Sequence, residues 1–196
     1  MSRPGRLVLL GHPVAHSLSP IFQNAALGAA GITTRYEALD VSYDALEPTL
    51  RALVRDGAAG NVTIPHKERV AQLCDTLTPL AARLGAVNTW WSVNGRLHGD
   101  NTDVGGFDDA VVHLLGNIPV GAKVAVLGAG GSARAVVAAV SAWSNAHVAI
   151  WARTMSSSMP HLHAAHWINS SVVPVLFPVT GCCPAPTTRP SPTPTV

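Results

Sequence analysis

Apolar and polar positions in the first third of the chain switch repeatedly between a strand period and a helix period. Residues 6–10, RLVLL, form an apolar run ended by Gly11 and Pro13, the pattern of a buried strand. Residues 20–30 read as a helix, with Ser19-Pro20 as a natural N-cap and first helical position and Gly31 as the stop. TRYEALDV, from Thr34, is a second strand. Over 43–55, Leu46, Leu50, Leu53 and Val54 share one face of an amphipathic helix. GNVTI, from Gly60, is a third strand. A β-α-β-α-β run with short links predicts a parallel α/β layer.

Helical patterns follow at about 67–74 and 78–84. Val93-Asn94-Gly95-Arg96 carries a hairpin turn between alternating residues, with Asn88 in the hairpin's first strand. The second strand runs into Gly99-Asp100-Asn101-Thr102-Asp103, and a helix over 104–115 leads away from the first layer. GAKVAVL, residues 121–127, is a strand that enters Gly128-Ala129-Gly130-Gly131-Ser132-Ala133-Arg134 and an apolar helix. Strand, glycine loop and helix in that order make a dinucleotide-binding unit, whose glycines let the backbone approach a pyrophosphate at the positive helix end. The next strand, AHVAIW, is followed by Ala152-Arg153-Thr154. An NAD site would want a carboxylate there; Arg153 favours the 2′-phosphate of NADP. The fold class is α/β.

Composition narrows the function classes. The 196 residues carry a net charge of +2 without a basic run, which argues against a nucleic-acid partner. No apolar run is long enough to span a bilayer, and the short N-terminal apolar run reads as a strand rather than a signal peptide. Cys74 stands alone and Cys182 and Cys183 are adjacent, so a reducing, cytoplasmic setting without structural disulfides is expected. His161, His163 and His166 cluster without a cysteine or carboxylate beside them, and no metal site is expected.

The candidate chemistry centres on Asn61-Val62-Thr63-Ile64-Pro65-His66-Lys67. Period-2 geometry puts Asn61 and Thr63 on one side of a strand end, and Pro65 breaks the strand before a helix that starts near Lys67. The chain has two lysines, Lys67 and Lys123, against eleven arginines. A lysine kept in an arginine-using chain suits proton transfer, although a solvated helix-start residue fits the same pattern. Ser19 is explained by capping and Ser17 is not; a hydroxyl pair at a strand's C-terminal edge suits a polar ligand. A capping box could explain one residue of the Gly99–Asp103 cluster but not all five, and simple N-capping is the bland role for Asp103.

Taken together, GHPVAHSLSP, GNVTIPHKE, GAVNT, GDNTD, GAGGSAR and the weaker ART resemble the shikimate dehydrogenase family in order and spacing over roughly residues 7–154. The resemblance implies reversible, NADPH-dependent reduction of 3-dehydroshikimate to shikimate on the route to aromatic amino acids. It implies an N-terminal α/β substrate domain with a mainly parallel sheet at 1–104, a partial Rossmann-like NADP domain at 105–170, and a cleft between them. Ser17 and Ser19 match the family's carboxylate-binding serines. Asn61, Thr63 and Asn88 match residues that hold the ring hydroxyls and carboxylate, and Lys67 and Asp103 match the catalytic pair. Gly128, Ala129, Gly130, Gly131 and Ser132 match the pyrophosphate loop, and Arg153 and Thr154 the 2′-phosphate site. The expected partner is a small molecule, with a homodimer left open. Binding of shikimate-like acids without turnover, and quinate as substrate, are the alternatives; serine in SLS leans to shikimate. For Lys67, burial would lower the pKa and a neighbouring carboxylate would raise it.

Past Thr154 the motifs stop. The family usually has Asn where Ala152 stands, and a second basic residue near Ser157. Residues 155–196 hold one charged side chain, Arg189, and seven prolines fall between Pro174 and Val196. The segment 171–196 is low-complexity and expected to be disordered. An abrupt composition change inside a domain predicts a reading-frame change or gene truncation, with impaired activity. Translating the other frames of the encoding DNA past codon 154 checks this; the expectation fails if no frame restores the family's later motifs.

Overall fold

The computed structural model describes residues 4–151. Arg153, Thr154, the histidine cluster and the proline-rich segment lie outside the described residues.

The first unit is a six-stranded sheet in the order β2-β1-β3-β5-β6-β4. Its strands are β1 (Leu7–Gly11), β2 (Tyr36–Asp40), β3 (Ala59–Val62), β4 (Thr76–Leu77), β5 (Thr89–Val93) and β6 (Arg96–Asp100). β1 pairs parallel with β2 and β3, and β4 pairs parallel with β6. The β5–β6 hairpin enters antiparallel on both its sides of β5. The expected parallel layer is therefore present and extended by the hairpin. Asn94 and Gly95 turn it with φ of 52° and 73°, the left-handed pair that an Asn-Gly turn supplies.

Alternation sets the two faces of this sheet. Val8, Leu10, Val62, Trp90 and Leu97 point into the main core. There they meet α2 (Leu46–Arg55), α3 (Lys67–Leu73) and α4 (Pro79–Leu84). α2 buries Leu46, Leu50, Leu53 and Val54, one apolar stripe at helical spacing. Each such side chain contributes about 1.5–3 kcal/mol on burial. Glu47 in the first turn and Arg55 in the last complement the helix dipole. The opposite face carries Leu9 and Tyr36, packed with Val14 beneath α1 (Ser19–Ala29). Asn61 and Thr89, cross-strand partners, lie on that same face. The sheet therefore separates a dry core from a polar face at the ends of β1 and β3.

The second unit contains β7 (Lys123–Leu127) parallel to β8 (His147–Trp151), with α6 (Gly131–Ser141) between them in sequence. α5 (Asp103–Leu115) starts beside the first sheet, and its Phe107 and Val111 pack on Val124, Val137, Val140 and Trp143 of the second core. Trp143 stacks on Phe107 and donates its indole N–H to Asp108 at 2.9 Å. One helix thus belongs to the polar cluster at its first residue and to the second core along its body.

Gly60 shows how tight the central strands are. A Cβ there would lie 1.8 Å from the carbonyl oxygen of Val8, a backbone atom that cannot swing aside. Gly60→Ala is expected to destabilise the fold by about 3 kcal/mol or more. Urea denaturation reads the loss, and a midpoint equal to the parent's would contradict this packing.

Candidate active site

Pro65 ends β3, and α3 begins at Lys67, as the sequence pattern predicts. The helix is anchored at its N-cap residue His66, which is fully buried with its Nε2–H donated to the carbonyl of Val41 at 2.6 Å. Lys67 therefore leaves a fixed point. Its side chain is 12% exposed, and its ammonium donates to Asp103 Oδ2 at 2.7 Å and to Ser132 Oγ at 3.3 Å.

Asp103 opens α5 without capping it; no side-chain cap bond is present at that helix start. The capping-type contact comes from Asn101, whose Oδ1 accepts the Asp103 N–H at 3.0 Å. Both Asp103 oxygens face the site: Oδ2 accepts from Lys67, and Oδ1 from Asn88 Nδ2 at 2.7 Å. Asn88 sits just before β5 rather than in it. Its Oδ1 accepts the Thr102 N–H at 2.9 Å, so its amide is fixed at both ends. The rest of the GDNTD cluster is structural. Asp100 Oδ1 accepts from Thr78 Oγ1 at 2.5 Å and from the Asn101 N–H at 2.7 Å, and buried Asn101 donates Nδ2 to the carbonyl of Ala86.

Asn61 joins this cluster through Thr89, to which its Nδ2 donates at 3.1 Å. Thr63 follows β3 and lies over Gly11, where a Cβ would come within 2.5 Å of its Cγ2. His12 N donates to the Ile64 carbonyl at 3.0 Å, which ties the loop after β1 to the end of β3. The capping role expected of Ser19 is not seen, and the hydroxyl at this helix start is that of Ser17. Leu18 occupies the N-cap position with no side-chain cap bond, and the Ser19 N–H donates to Ser17 Oγ at 3.2 Å. The helix start uses the Ser17 hydroxyl, because the chain enters the helix one residue early. Neither serine is hydrogen-bonded to the Lys67–Asp103–Asn88 cluster among the described residues. The loop is also held by Asp40, which accepts from the Val14 N–H at 3.2 Å and pairs with His12 Nδ1 at 2.5 Å. The His12 hydrogen bond, then the Val14 N–H, hold its carboxyl below the usual range.

The glycine loop fits a phosphate-bearing cofactor. Gly128 has φ +122°, and a Cβ at Gly128 or Gly130 would meet nothing within 4 Å, so the space above the loop is open. The eleven-residue helix behind it has no acidic residue in its first turn to compete with an anion. Ala129 sits between these glycines, and Ser132 turns its hydroxyl toward Lys67. Gly131 lies against that lysine; a Cβ there would stand 3.3 Å from Lys67 Cβ and Cδ.

Tyr36, Thr89, Thr102 and Arg134 receive no individual role from the sequence pattern yet hold the site. Arg134, on α6, is 3% exposed and pairs with Glu68 at 3.0 Å. It also donates to the Leu84 carbonyl at 3.2 Å, at the C-terminus of α4, where the helix dipole favours a cation. One side chain thus pins the glycine-loop helix to the first unit. Its presence in GAGGSAR was the available signal, since an arginine inside an otherwise apolar helix pattern needs partners.

Fold and site define a two-unit α/β protein in which a lysine–carboxylate–amide cluster at the end of a sheet faces a dinucleotide-type glycine loop. Residues 9–90 match the family model described as the shikimate dehydrogenase substrate binding domain. The shikimate dehydrogenase (NADP(+)) of Methylobacterium radiotolerans is 41% identical over 188 residues, covering 90% of this chain and 66% of that protein. That of Geobacter sulfurreducens is 42% identical over 151 residues, covering 76% and 53%. Among solved structures, shikimate 5-dehydrogenase from Thermus thermophilus, in complex with NADP(H) and shikimate, superposes with a TM-score of 0.68 at 43% identity, covering 76% of this chain and 56% of that one. The chain belongs to the shikimate dehydrogenase family. It spans between about half and two thirds of the length of these relatives.

Arg134→Met keeps the stem and removes the charge and donors. It is expected to cost about 1–3 kcal/mol, read as a lower urea midpoint at unchanged slope. An unchanged midpoint would show that Arg134 does not clamp the two units.

Proposed function

We propose that the protein interconverts shikimate and 3-dehydroshikimate with NADP, and that Lys67 and Asp103 are its catalytic pair. The observation that carries this is the Lys67–Asp103 ion pair at 2.7 Å, set between the Asn88 amide and the Ser132 hydroxyl of the glycine loop. The complex of the Thermus thermophilus relative with NADP(H) and shikimate supports the choice of ligands.

The nicotinamide would supply or accept the hydride. The chain's own residues handle the proton. An ammonium has three N–H groups. Asp103 and Ser132 take two from Lys67, which leaves a third for the substrate oxygen that gains or loses its proton. Each Asp103 oxygen has a further lone pair, so the carboxylate can accept a substrate hydroxyl while it holds the ammonium. Asn61, Thr63 and Asn88 are assigned to the ring hydroxyls and carboxylate, and Ser17 and Ser19 to the carboxylate. Gly128 to Ser132 would hold the pyrophosphate, with Arg153 and Thr154 for the 2′-phosphate. Among the described residues no helix is long and apolar enough to cross a membrane. Cys74 is a free thiol, the state that the proposed reducing, cytoplasmic setting would maintain.

NADP-dependent oxidation of shikimate by the purified protein is the test, with Lys67→Ala beside it. Lys67→Ala is expected to lower kcat by about 10²–10⁴ with the shikimate KM changed little. Unchanged kcat with weaker binding would remove Lys67 from the proton transfer. Binding of shikimate by the parent protein without turnover would overturn the proposed activity.

A further inference from the structure

Asn61 is assigned to the substrate, yet on the side away from the catalytic pair it meets a residue with no assigned role. We infer that Tyr36 is a positioning residue for Asn61, anchoring a one-way hydrogen-bond chain that runs through Asn61, Thr89 and Asn88 to the Asp103 carboxylate. The inference rests on the reading of this site as a shikimate site.

The direction of the chain is forced by groups that cannot change role. Asp103 only accepts, so Asn88 must turn Nδ2 toward it, and the Thr102 N–H only donates, so Asn88 Oδ1 must face that. Asn88 Oδ1 therefore receives the Thr89 hydroxyl proton at 3.0 Å. With its proton spent there, Thr89 Oγ1 accepts from Asn61 Nδ2 at 3.1 Å. The carbonyl of Asn88, again acceptor only, takes the other Asn61 N–H at 3.3 Å. Asn61 Oδ1 must then face Tyr36, and the phenol must be the donor, at 2.8 Å. Burial pushes the Tyr36 pKa up to about 12, so the phenol keeps that proton through the neutral range.

Geometry gives Tyr36 the oxygen end of the Asn61 amide. Among the described residues the Tyr36 contact at 2.8 Å is the one hydrogen bond on Asn61 Oδ1, whereas of the two Nδ2 contacts one is ordinary at 3.1 Å and the other long at 3.3 Å. Tyr36 is itself immobilised. It starts the edge strand β2, and Asn24 of α1 grips both sides of its peptide, accepting the N–H and donating to the carbonyl at 2.9 Å each. The residue is 5% exposed and packs with Leu9 and Val14. Without the phenol, Asn61 Oδ1 loses that hydrogen bond and the amide is held by its Nδ2 contacts alone.

Tyr36→Phe removes the one hydroxyl and keeps the packing. The expected result is a five- to tenfold rise in the KM for shikimate, roughly what losing one buried hydrogen bond gives. The kcat should stay within about twofold and the KM for NADP should not move, because Lys67 and the glycine loop keep their contacts. Thr89→Val, which cuts the chain on the other side of Asn61, should raise the shikimate KM in the same way. A Tyr36→Phe protein with a lower melting temperature and unchanged shikimate KM would reduce Tyr36 to packing and overturn the inference, leaving the proposed function intact. If the parent protein neither binds nor turns over shikimate, the proposed function fails instead. In that case the Asn61 side-chain NH2 in ¹H–¹⁵N spectra decides: faster solvent exchange in Tyr36→Phe supports the anchoring, and unchanged exchange overturns it.

Discussion

The Asp103 carboxylate is the constraint on which the site depends. It has two oxygens, and the fold gives each a different partner: the Lys67 ammonium on one and the Asn88 amide on the other. Charge-assisted bonds of this length are about twice as strong as neutral ones. No side chain caps this helix start, and Asn101 accepts the backbone N–H of Asp103, so both carboxylate oxygens serve the site. The capping-type contact comes from two positions upstream, and the carboxylate itself faces Lys67 and Asn88. The cluster GDNTD is dense in polar residues because Asp100, Asn101, Thr102 and Asp103 each satisfy a separate group.

What holds Asp103 in space comes from both units. α5 begins at the first sheet and runs into the second core, so the carboxylate sits at a junction. Arg134 crosses that junction in the other direction, from α6 to Glu68 and Leu84. Leu84 and Ala86 also pack on Ala138, which adds apolar contact beside the buried guanidinium. A pair of elements reaching across in opposite senses resists sliding better than either alone. The 2.7 Å contact between residues 36 positions apart is a consequence of that bracing.

Much of this frame was legible in the sequence, and the reasons are local. The Asn-Gly hairpin, the α2 stripe and the strand–glycine–helix unit each carry their signal within a dozen residues. Lys67 was legible through its rarity and the proline two residues before it. Tyr36, Thr89 and Arg134 were not. Tyr36 reaches Asn61 across the intervening strand β1, and Thr89 meets Asn61 only through antiparallel register. Those relations arise after the sheet is assembled, and no period or spacing announces them. β4 was missed because two residues cannot show an alternation. The capping role expected of Ser19 is not seen because helix entry at Leu18 is a matter of one residue, below what a propensity rule resolves.

Gly131 joins the two halves of the picture. A glycine in that loop is ordinarily explained by the approach of a phosphate to the backbone. Here the nearest protein atoms are Lys67 Cβ and Cδ, at 3.3 Å from where a Cβ would stand, closer than ordinary van der Waals contact. The missing side chain therefore serves the lysine as well: it lets the stem of Lys67 lie against the start of α6, and lets its ammonium reach Ser132 one residue on. The loop that would hold one reactant and the lysine that would move the proton are thus kept in register by a single absent methyl group. A substitution there would be felt at both ends, by crowding the lysine from one side and the loop from the other.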